Sequence, residues 1–257
     1  MVYTDIPHEL HSLGLRLGIA GWSIRREHVV RFGQIGTHLE RYATRFNAVE
    51  INSCFYRPHR LTTYERWSAS VPEDFRFAVK LPKSITHEAR LVNASALLDQ
   101  FLGEISGLGE KLGPILVQLP PSFAFDRLLV ATFLTELRQR HAKPVVWEPR
   151  HETWFDGEAD RLLADHQVAR VAADPARVPE AAKPAGFPGL IYYRLHGSPR
   201  IYYSKYEPSY LEQTAKTLLY SARSGAEVWC IFDNTALGAA TSDAFEVEAL
   251  LFAETRR

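Results

Sequence analysis

Short apolar, β-branched runs alternate along the chain with longer stretches whose apolar residues recur at helical spacing. Eight runs predict strands, at Leu17–Ala20, Ala48–Asn52, Arg76–Lys80, Ile115–Leu119, Val145–Glu148, Ala169–Asp174, Ile191–His196 and Val228–Asp233. Each is bounded by Gly, Pro or polar residues, as strands buried on both faces are. PILVQLP, KPVVWEP and GLIYYRLHG carry the pattern best, and VARVAADP carries it least. Between them, Ile35 to Phe46 places Leu39, Tyr42, Ala43 and Phe46 on one helical face. Further helices are predicted around Leu97–Leu102 with Ser95 as cap, and around Leu129–Leu137 with Asp126 as cap. Others are expected around Leu162–Leu163 opened by Asp156, over Leu211–Ser221, and over Ala244–Phe252. The proline-rich stretch Asp174–Gly189 reads as a long loop after the sixth strand.

Strand–helix alternation eight times over predicts a (β/α)8 TIM-type barrel. The alternative is a doubly wound open sheet. Such a sheet binds phosphates at a glycine-rich first turn, and GIAGWS lacks the G-x-G-x-x-G spacing. The 257 residues suit one barrel domain over 1–257, with 1–16 as an N-terminal extension. No internal repeat or dividing linker is evident.

Polar residues collect where the predicted strands end. Glu50 and Asn52 close the second, Lys80 the third, and Gln118 lies in the fourth. Glu148 and Arg150 follow the fifth, Asp174 the sixth, Arg194 and His196 the seventh, and Asp233 and Asn234 the eighth. Period-2 alternation puts Glu50 with Asn52, Glu148 with Arg150, and Arg194 with His196 on shared faces. An Arg–Glu pair often closes a barrel end for purely structural reasons, but a ring of such termini is hard to explain by packing and points to a ligand site. Trp22, Phe55, Tyr56, Trp154, Tyr202, Tyr203 and Tyr206 fall in or near the following loops, where aromatic walls suit flat ligand faces or simply cover the core rim. His87, in ITHEARL, and His151, in EPRHETWF, are placed to reach the same mouth, although loop histidines are ordinarily just solvated.

Composition narrows the classes. Lys plus Arg equals Asp plus Glu at 30 each, so nothing suggests a general nucleic-acid binder. Two cysteines, Cys54 and Cys230, support neither a disulfide framework nor a thiolate zinc cluster. No apolar run is long enough to span a membrane, and MVYTDIPHELHSLGL does not read as a signal peptide, so a cytoplasmic protein is expected.

The ordered set GIAGWS, FNAVEINSCFYR, FRFAVKLPKSITHEARL, GPILVQLPPSF, VVWEPRHETWF, YYRLHGSPRIYYSKY and WCIFDNTALGAATSDAF resembles domain-of-unknown-function family 72, the YecE-like family, over roughly Leu17 to Leu251. That resemblance implies a TIM-type barrel and implies no particular reaction. Its pattern falls on Gly21, Trp22, Glu50, Asn52, Phe55, Tyr56, Lys80, Thr86 and His87. It continues through Gln118, Pro120, Glu148, Arg150, His151, Trp154, Arg194, His196, Gly197, Tyr206 and Asn234. The chain departs from it at Asp233, where the family often has Asn, and after Gly21-Trp22-Ser23, where IRREHVV stands.

Three function classes follow. The first is a metal-free enzyme acting by acid/base or hydrolytic chemistry on a small anionic or polyhydroxylated compound. In it Glu50, Glu148 and His196 serve as acid/base groups. The ligand would be held by Trp22, Asn52, Tyr56, Lys80, His87, Gln118, Arg150, His151, Trp154, Arg194, Tyr206 and Asn234. No cofactor is expected in that reading. The second is a Mg- or Mn-dependent hydrolase or isomerase like the endonuclease IV or xylose isomerase barrels, using Glu50, Glu148, Asp174, His196 and Asp233. Lys80, Arg150 and Arg194 in the same mouth would repel its cation. The third is a non-catalytic binding or sensing module. Glycosidase chemistry lacks its paired carboxylates at strands four and seven, which end in Gln118 and His196.

Overall fold

The computed structural model describes residues 6–255. The first five residues of the expected extension lie outside that range, and the first helix, α1 (Ile6–Ser12), and the start of the first strand fall within the rest of it. The strands are β1 (Leu15–Ile19), β2 (Ala48–Ile51), β3 (Arg76–Lys80), β4 (Leu112–Gln118), β5 (Val145–Glu148), β6 (Val168–Arg170), β7 (Ala172–Asp174), β8 (Ala185–Gly186), β9 (Leu190–Leu195) and β10 (Glu227–Phe232). They form two sheets, ordered β1-β10-β9-β7 and β2-β3-β4-β5-β6-β8. Every pairing is parallel except β6 with β8. At the end of β1 a parallel bridge joins Ala20 to Glu50, and Gly21 N–H donates to the Glu50 carbonyl at 3.0 Å.

Helices make the crossovers that parallel strands require. They are α2 (His38–Tyr42), α3 (Ser53–Tyr56), α4 (Leu61–Ala69), α5 (Ser95–Ile105), α6 (Arg127–Arg140), α7 (Glu158–Asp165), α8 (Pro208–Ala222) and α9 (Ala239–Thr255). Asp126 caps α6 as expected, accepting from Leu129 N–H at 3.0 Å. Ser95 does not cap α5: it is the first helical residue, and its hydroxyl donates to Glu136 on α6. The helix expected from Ile35 begins only at His38, because Thr37 and Glu40 form a capping box there. Neither α3 nor α4 was legible in the periodicity.

The sixth expected strand is broken at Val171. β6 pairs with β5, whereas β7 pairs with β9. The cause is β8, which occupies the other edge of β6 through Ala169 and Arg170, so β9 gains that edge only from Ala172 onward. The expected loop Asp174–Gly189 therefore contains a strand of its own. Among the described residues, no helix is long and apolar enough to cross a membrane.

Two apolar cores result from period-2 alternation. The larger lies between strands and helices and includes Leu17, Val49, Val79, Val117, Trp147, Cys230 and Phe232. The smaller takes the alternate positions Ala48, Ala78, Leu116, Val146, Ala169, Val171, Leu190, Tyr192, Trp229 and Ile231. Small residues on β2, β3 and β6 make room for Tyr192 and Trp229, whose rings stack at 5.8 Å. Two residues beyond members of this smaller core stand Glu50, Lys80, Gln118, Glu148, Arg194 and Asp233. The pleat therefore stacks a polar layer directly above an apolar one, at the C-terminal strand ends.

Gly18 sets how closely β1 and β2 approach. A Cβ there would stand 2.2 Å from the Ala48 carbonyl oxygen. G18A is expected to destabilise the fold by about 1–3 kcal/mol or more, because backbone rather than a flexible side chain must move. Urea unfolding checks this, and an unchanged midpoint would show that the two strands tolerate separation.

Candidate functional site

Arg194, on β9, is 0% exposed. A buried guanidinium is tolerable only if its donors and charge are met. Its Nε donates to both Glu50 oxygens at 3.1 and 3.0 Å, and Nη2 donates to Glu50 Oε1 at 2.7 Å. Nη1 reaches Glu148 Oε2 at 3.0 Å, and Nη2 pairs with Asp233 Oδ2 at 2.9 Å. Tyr192 completes the Glu50 carboxylate by donating its hydroxyl at 2.8 Å.

A second layer of pairs surrounds Glu148 and His196. Glu148 Oε1 accepts from Arg150 Nε and Nη2 at 3.2 and 3.1 Å, while Oε2 accepts from Gln118 Nε2 at 2.9 Å. His196 stands between two carboxylates, with Nδ1 3.0 Å from Asp233 Oδ2 and Nε2 3.0 Å from Glu148 Oε1. A neutral imidazole has one donor nitrogen and cannot satisfy two anions, so this geometry calls for the imidazolium. The shifts agree. Burial opposes charge on His196, but Glu148 and the hydrogen bond to Asp233 outweigh it and raise its pKa. Burial likewise opposes charge on Glu148, yet Arg194, Arg150 and His196 hold it well below the usual carboxylate range. Asp233 is lowered in the same way, mainly by Arg194 against burial.

Lys80 differs from all of these. It is 8% exposed, its ammonium lies 4.0 Å from the centroid of the Phe55 ring, and among the described residues no carboxylate is in ion-pair reach. Burial, reinforced by Arg194, lowers its pKa to about 8. Phe55 also meets His87 edge-on at 5.1 Å, and burial and Lys80 depress the pKa of that imidazole. Asn52 reaches Asp233 Oδ1 with its amide at 3.4 Å, while its own Oδ1 is buried without a partner. Tyr202 stands edge-on to His196 at 5.6 Å and accepts from Arg150 Nη2 at 3.2 Å. It holds a left-handed backbone, φ +70°, a strain that a bulky residue adopts where its surroundings demand it.

Beneath Arg150 a small recess of about 50 Å³ is lined by Glu148, Arg150, His196, Phe155, Arg177 and Ile201. Arg150 and Arg177 also border an open cleft of about 230 Å³ with His151. Larger hollows of about 480 Å³, on α8 and the end of α9, share no residue with this cluster.

Several expected ligand residues stand elsewhere. Trp154 is fully buried in the outer core, its indole donating to the Phe123 carbonyl at 2.8 Å. Tyr206 is buried against Tyr210 and accepts from Gly197 N–H at 2.8 Å. That contact and the positive φ of Gly197 (+91°) anchor the loop after β9. Asn234 donates to the Ser204 carbonyl and to Asp243, again supporting that loop. Trp22 packs edge-on against Trp67, Tyr56 is exposed on α3, and His151 caps the short turn that follows it. Asp174 turns toward Tyr206 and Tyr210, whose hydroxyls it pushes upward after burial.

Glu50 and Glu148, expected as acid/base groups, are both buried, and the oxygens of each already accept hydrogen bonds from side chains of the cluster. The alternative divalent-metal site fails on the same ground: the point where Glu50, Glu148 and Asp233 converge is filled by the Arg194 guanidinium. Among the described residues, no three His, Cys, Asp or Glu side chains are grouped to hold an ion. The donor set does not fit Mg or Mn. The thiols are inert, with burial pushing Cys54 up to about 12 and Cys230 upward as well. Sequence reasoning left Asp233 out of the ligand-binding and acid/base set, although its place at a strand end marked it. It left out Arg177 too, and placed Tyr202 only among the aromatic loop residues, since the sequence does not show which loop residues fold inward.

A family model described as "Protein of unknown function DUF72" matches residues 16–257. The UPF0759 protein YecE of Escherichia coli (strain K12) is 34% identical over 191 residues, covering 72% of this chain and 62% of that protein. The matched region thus spans less than two thirds of that relative. The UPF0759 protein YunF of Bacillus subtilis (strain 168) is 26% identical over 145 residues, covering 54% of this chain and 51% of that one. Two crystal structures of DUF72 family proteins share the fold. One from Enterococcus faecalis V583 has a TM-score of 0.77 at 22% identity, covering 93% of this chain and 95% of that one. One from Thermotoga maritima MSB8 has a TM-score of 0.76 at 23% identity, covering 93% and 99%. By a family match over nearly its whole length, and by the strand-end residues that carry the pattern, this chain belongs to the DUF72, YecE-like family.

Proposed function

We propose that the two sheets close into one (β/α)8 barrel domain whose C-terminal mouth binds a small anionic compound, with Lys80 as its proton-transfer group. Two seams support the closure. The Ala20–Glu50 bridge joins β1 to β2, and the continuous chain through Val171 carries β6 into β7. Counting β6 and β7 as one position and setting β8 aside gives eight.

One observation carries the ligand reading. Every carboxylate of the cluster is committed to Arg194, Arg150 or His196, while the Lys80 ammonium is left with only an aromatic ring. A buried cation without a counter-ion is costly, and a ligand anion would supply the missing charge. Arg150, Tyr202 and Asn52 border the same opening and offer further hydrogen bonds. Near pH 8 Lys80 divides between ammonium and amine, the condition a general acid or base needs.

The sign of the pH effect follows. A fall from 10.5 to about 8 amounts to about 3 kcal/mol against the charged form. Above pH 10.5 folded and unfolded chains both hold the amine and nothing is lost. As pH falls toward 8 only the unfolded chain gains the proton, so the destabilisation grows and is complete below 8. K80M is therefore expected to raise Tm at pH 7 by about 3–6 °C without ligand, and to abolish stabilisation by added phosphate or small carboxylates. In the native protein that stabilisation should fade as pH rises through about 8. Melting curves across pH decide it, and an equal phosphate shift in K80M would overturn the reading.

Arg194 acts here as a built-in cation. R194M would leave three buried carboxylates facing one another and is expected to destabilise by about 3–5 kcal/mol in denaturant unfolding. The native protein should melt at the same temperature before and after chelator. A lower Tm on chelation would reinstate a bound divalent ion.

A further inference from the structure

We infer that Lys80 is an imine-forming amine, whose Nζ condenses with the carbonyl carbon of a small oxo acid held at the mouth. The inference rests on the anion site proposed above and names its substrate class. An amine nucleophile must be free of a carboxylate that would fix it as ammonium, shielded from bulk water, and placed beside groups that hold the substrate and move a proton. Lys80 meets the first two conditions, since it is nearly buried at the end of β3, beside Phe55, with the nearby carboxylates already engaged. Its backbone is tied down as well, for the Cys54 thiol donates to the Lys80 carbonyl at 3.0 Å. Its lowered pKa, about 8, provides the free amine near neutrality.

The remaining condition is met by neighbours. Arg150 commits Nε and Nη2 to Glu148 and Tyr202, and its Nη1, which makes no hydrogen bond among the described residues, is the donor with which a substrate carboxylate can pair. His87 supplies the proton relay. Thr86 Oγ1 lies 2.8 Å from His87 Nδ1 and 3.3 Å from the Pro82 carbonyl, and the relay uses the tautomer in which the hydroxyl proton goes to the carbonyl and Nδ1 donates to Oγ1. The neutral ring then carries its lone pair on Nε2. In the step, the Nζ lone pair forms a bond to the carbonyl carbon, and the C=O π pair moves to oxygen, which takes a proton. Nitrogen gives up both of its protons, one matching the proton taken by the oxygen and one leaving with the hydroxyl as water, and the C=N bond closes. One amine and one carbonyl give one imine and one water, with no change of oxidation state.

The test is reductive trapping on the full chain. Native protein, K80R and K80M are incubated with glyoxylate at pH 8, reduced with borohydride, and mapped by peptide mass spectrometry. The expected result is a reduced adduct on Lys80 forming at least about tenfold faster than on Lys83. Its rate should rise through about pH 8, whereas an ordinary lysine responds near 10.5. In K80R, which keeps the charge without the nucleophile, the dominant adduct should vanish while phosphate still raises Tm. Adducts spread over the surface lysines with Lys80 unmodified would overturn the inference. If phosphate still stabilises the native protein but not K80M in that case, the anion site stands and only the imine falls. If phosphate stabilises neither, both fall.

Discussion

A single buried guanidinium ties the architecture together. Arg194 sits on β9 in the four-stranded sheet, and Asp233 follows β10 in that same sheet. Glu50 on β2 and Glu148 on β5 belong to the six-stranded sheet. The ion cluster therefore cross-links the two sheets at their polar end, where the backbone bridge of Ala20 to Glu50 joins β1 to β2. Its contribution to net stability is modest, because desolvating four charges offsets most of their attraction. Its contribution to register is larger. A slip of one residue on β2, β5 or β9 would turn Glu50, Glu148 or Arg194 into the apolar layer against the helices, and leave its partners buried and uncompensated.

The same logic divides the polar layer into two kinds of residue. Those that look most like acid/base catalysts, two glutamates and a histidine, are the ones the cluster consumes. Glu148 accepts from Arg194, Arg150, Gln118 and His196, and so holds Arg150 in place. What remains free is cationic or neutral: Lys80, the outer edge of Arg150, Asn52, and His87 in its neutral form. Anions spent inward and cations facing outward are the arrangement on which the anionic ligand proposed above rests.

Much of this was legible in the sequence because period-2 alternation is simple. Ala48 to Glu50, Ala78 to Lys80, Val146 to Glu148 and Tyr192 to Arg194 each step from the inner apolar core to the polar layer in two residues. Parallel pairing then brings them level, as with Gln118 opposite Glu148. What was not legible depended on contacts between distant segments. Trp154 follows a strand end just as Arg150 does, yet the turn capped by His151 folds it into the outer core against Trp147. Tyr206 and Asn234 fall on the family pattern and here brace the loop after β9, and a pattern does not distinguish bracing from binding. The broken sixth strand escaped detection because β8, only two residues long, has no periodicity to read.

Lys80 brings the two arguments together. Most buried charges of this fold are ion-paired, and Asp243, which is not, is at least hydrogen-bonded to Asn234 and the Tyr206 N–H, whereas the Lys80 ammonium is left against a phenyl ring. Alternation alone does not require it, since any residue that fills the space would continue the face above Ala78. A methionine there would bury comparable volume without a charge to desolvate. Stability therefore gives no reason for a lysine at this position, and residues that oppose stability concentrate where a site needs them. The burial that makes Lys80 unfavourable in the empty mouth is also what lowers its pKa to about 8. Shielded from water and unpaired, the group holds its proton loosely, so the anion proposed above would change both the energy and the protonation of this position in one step.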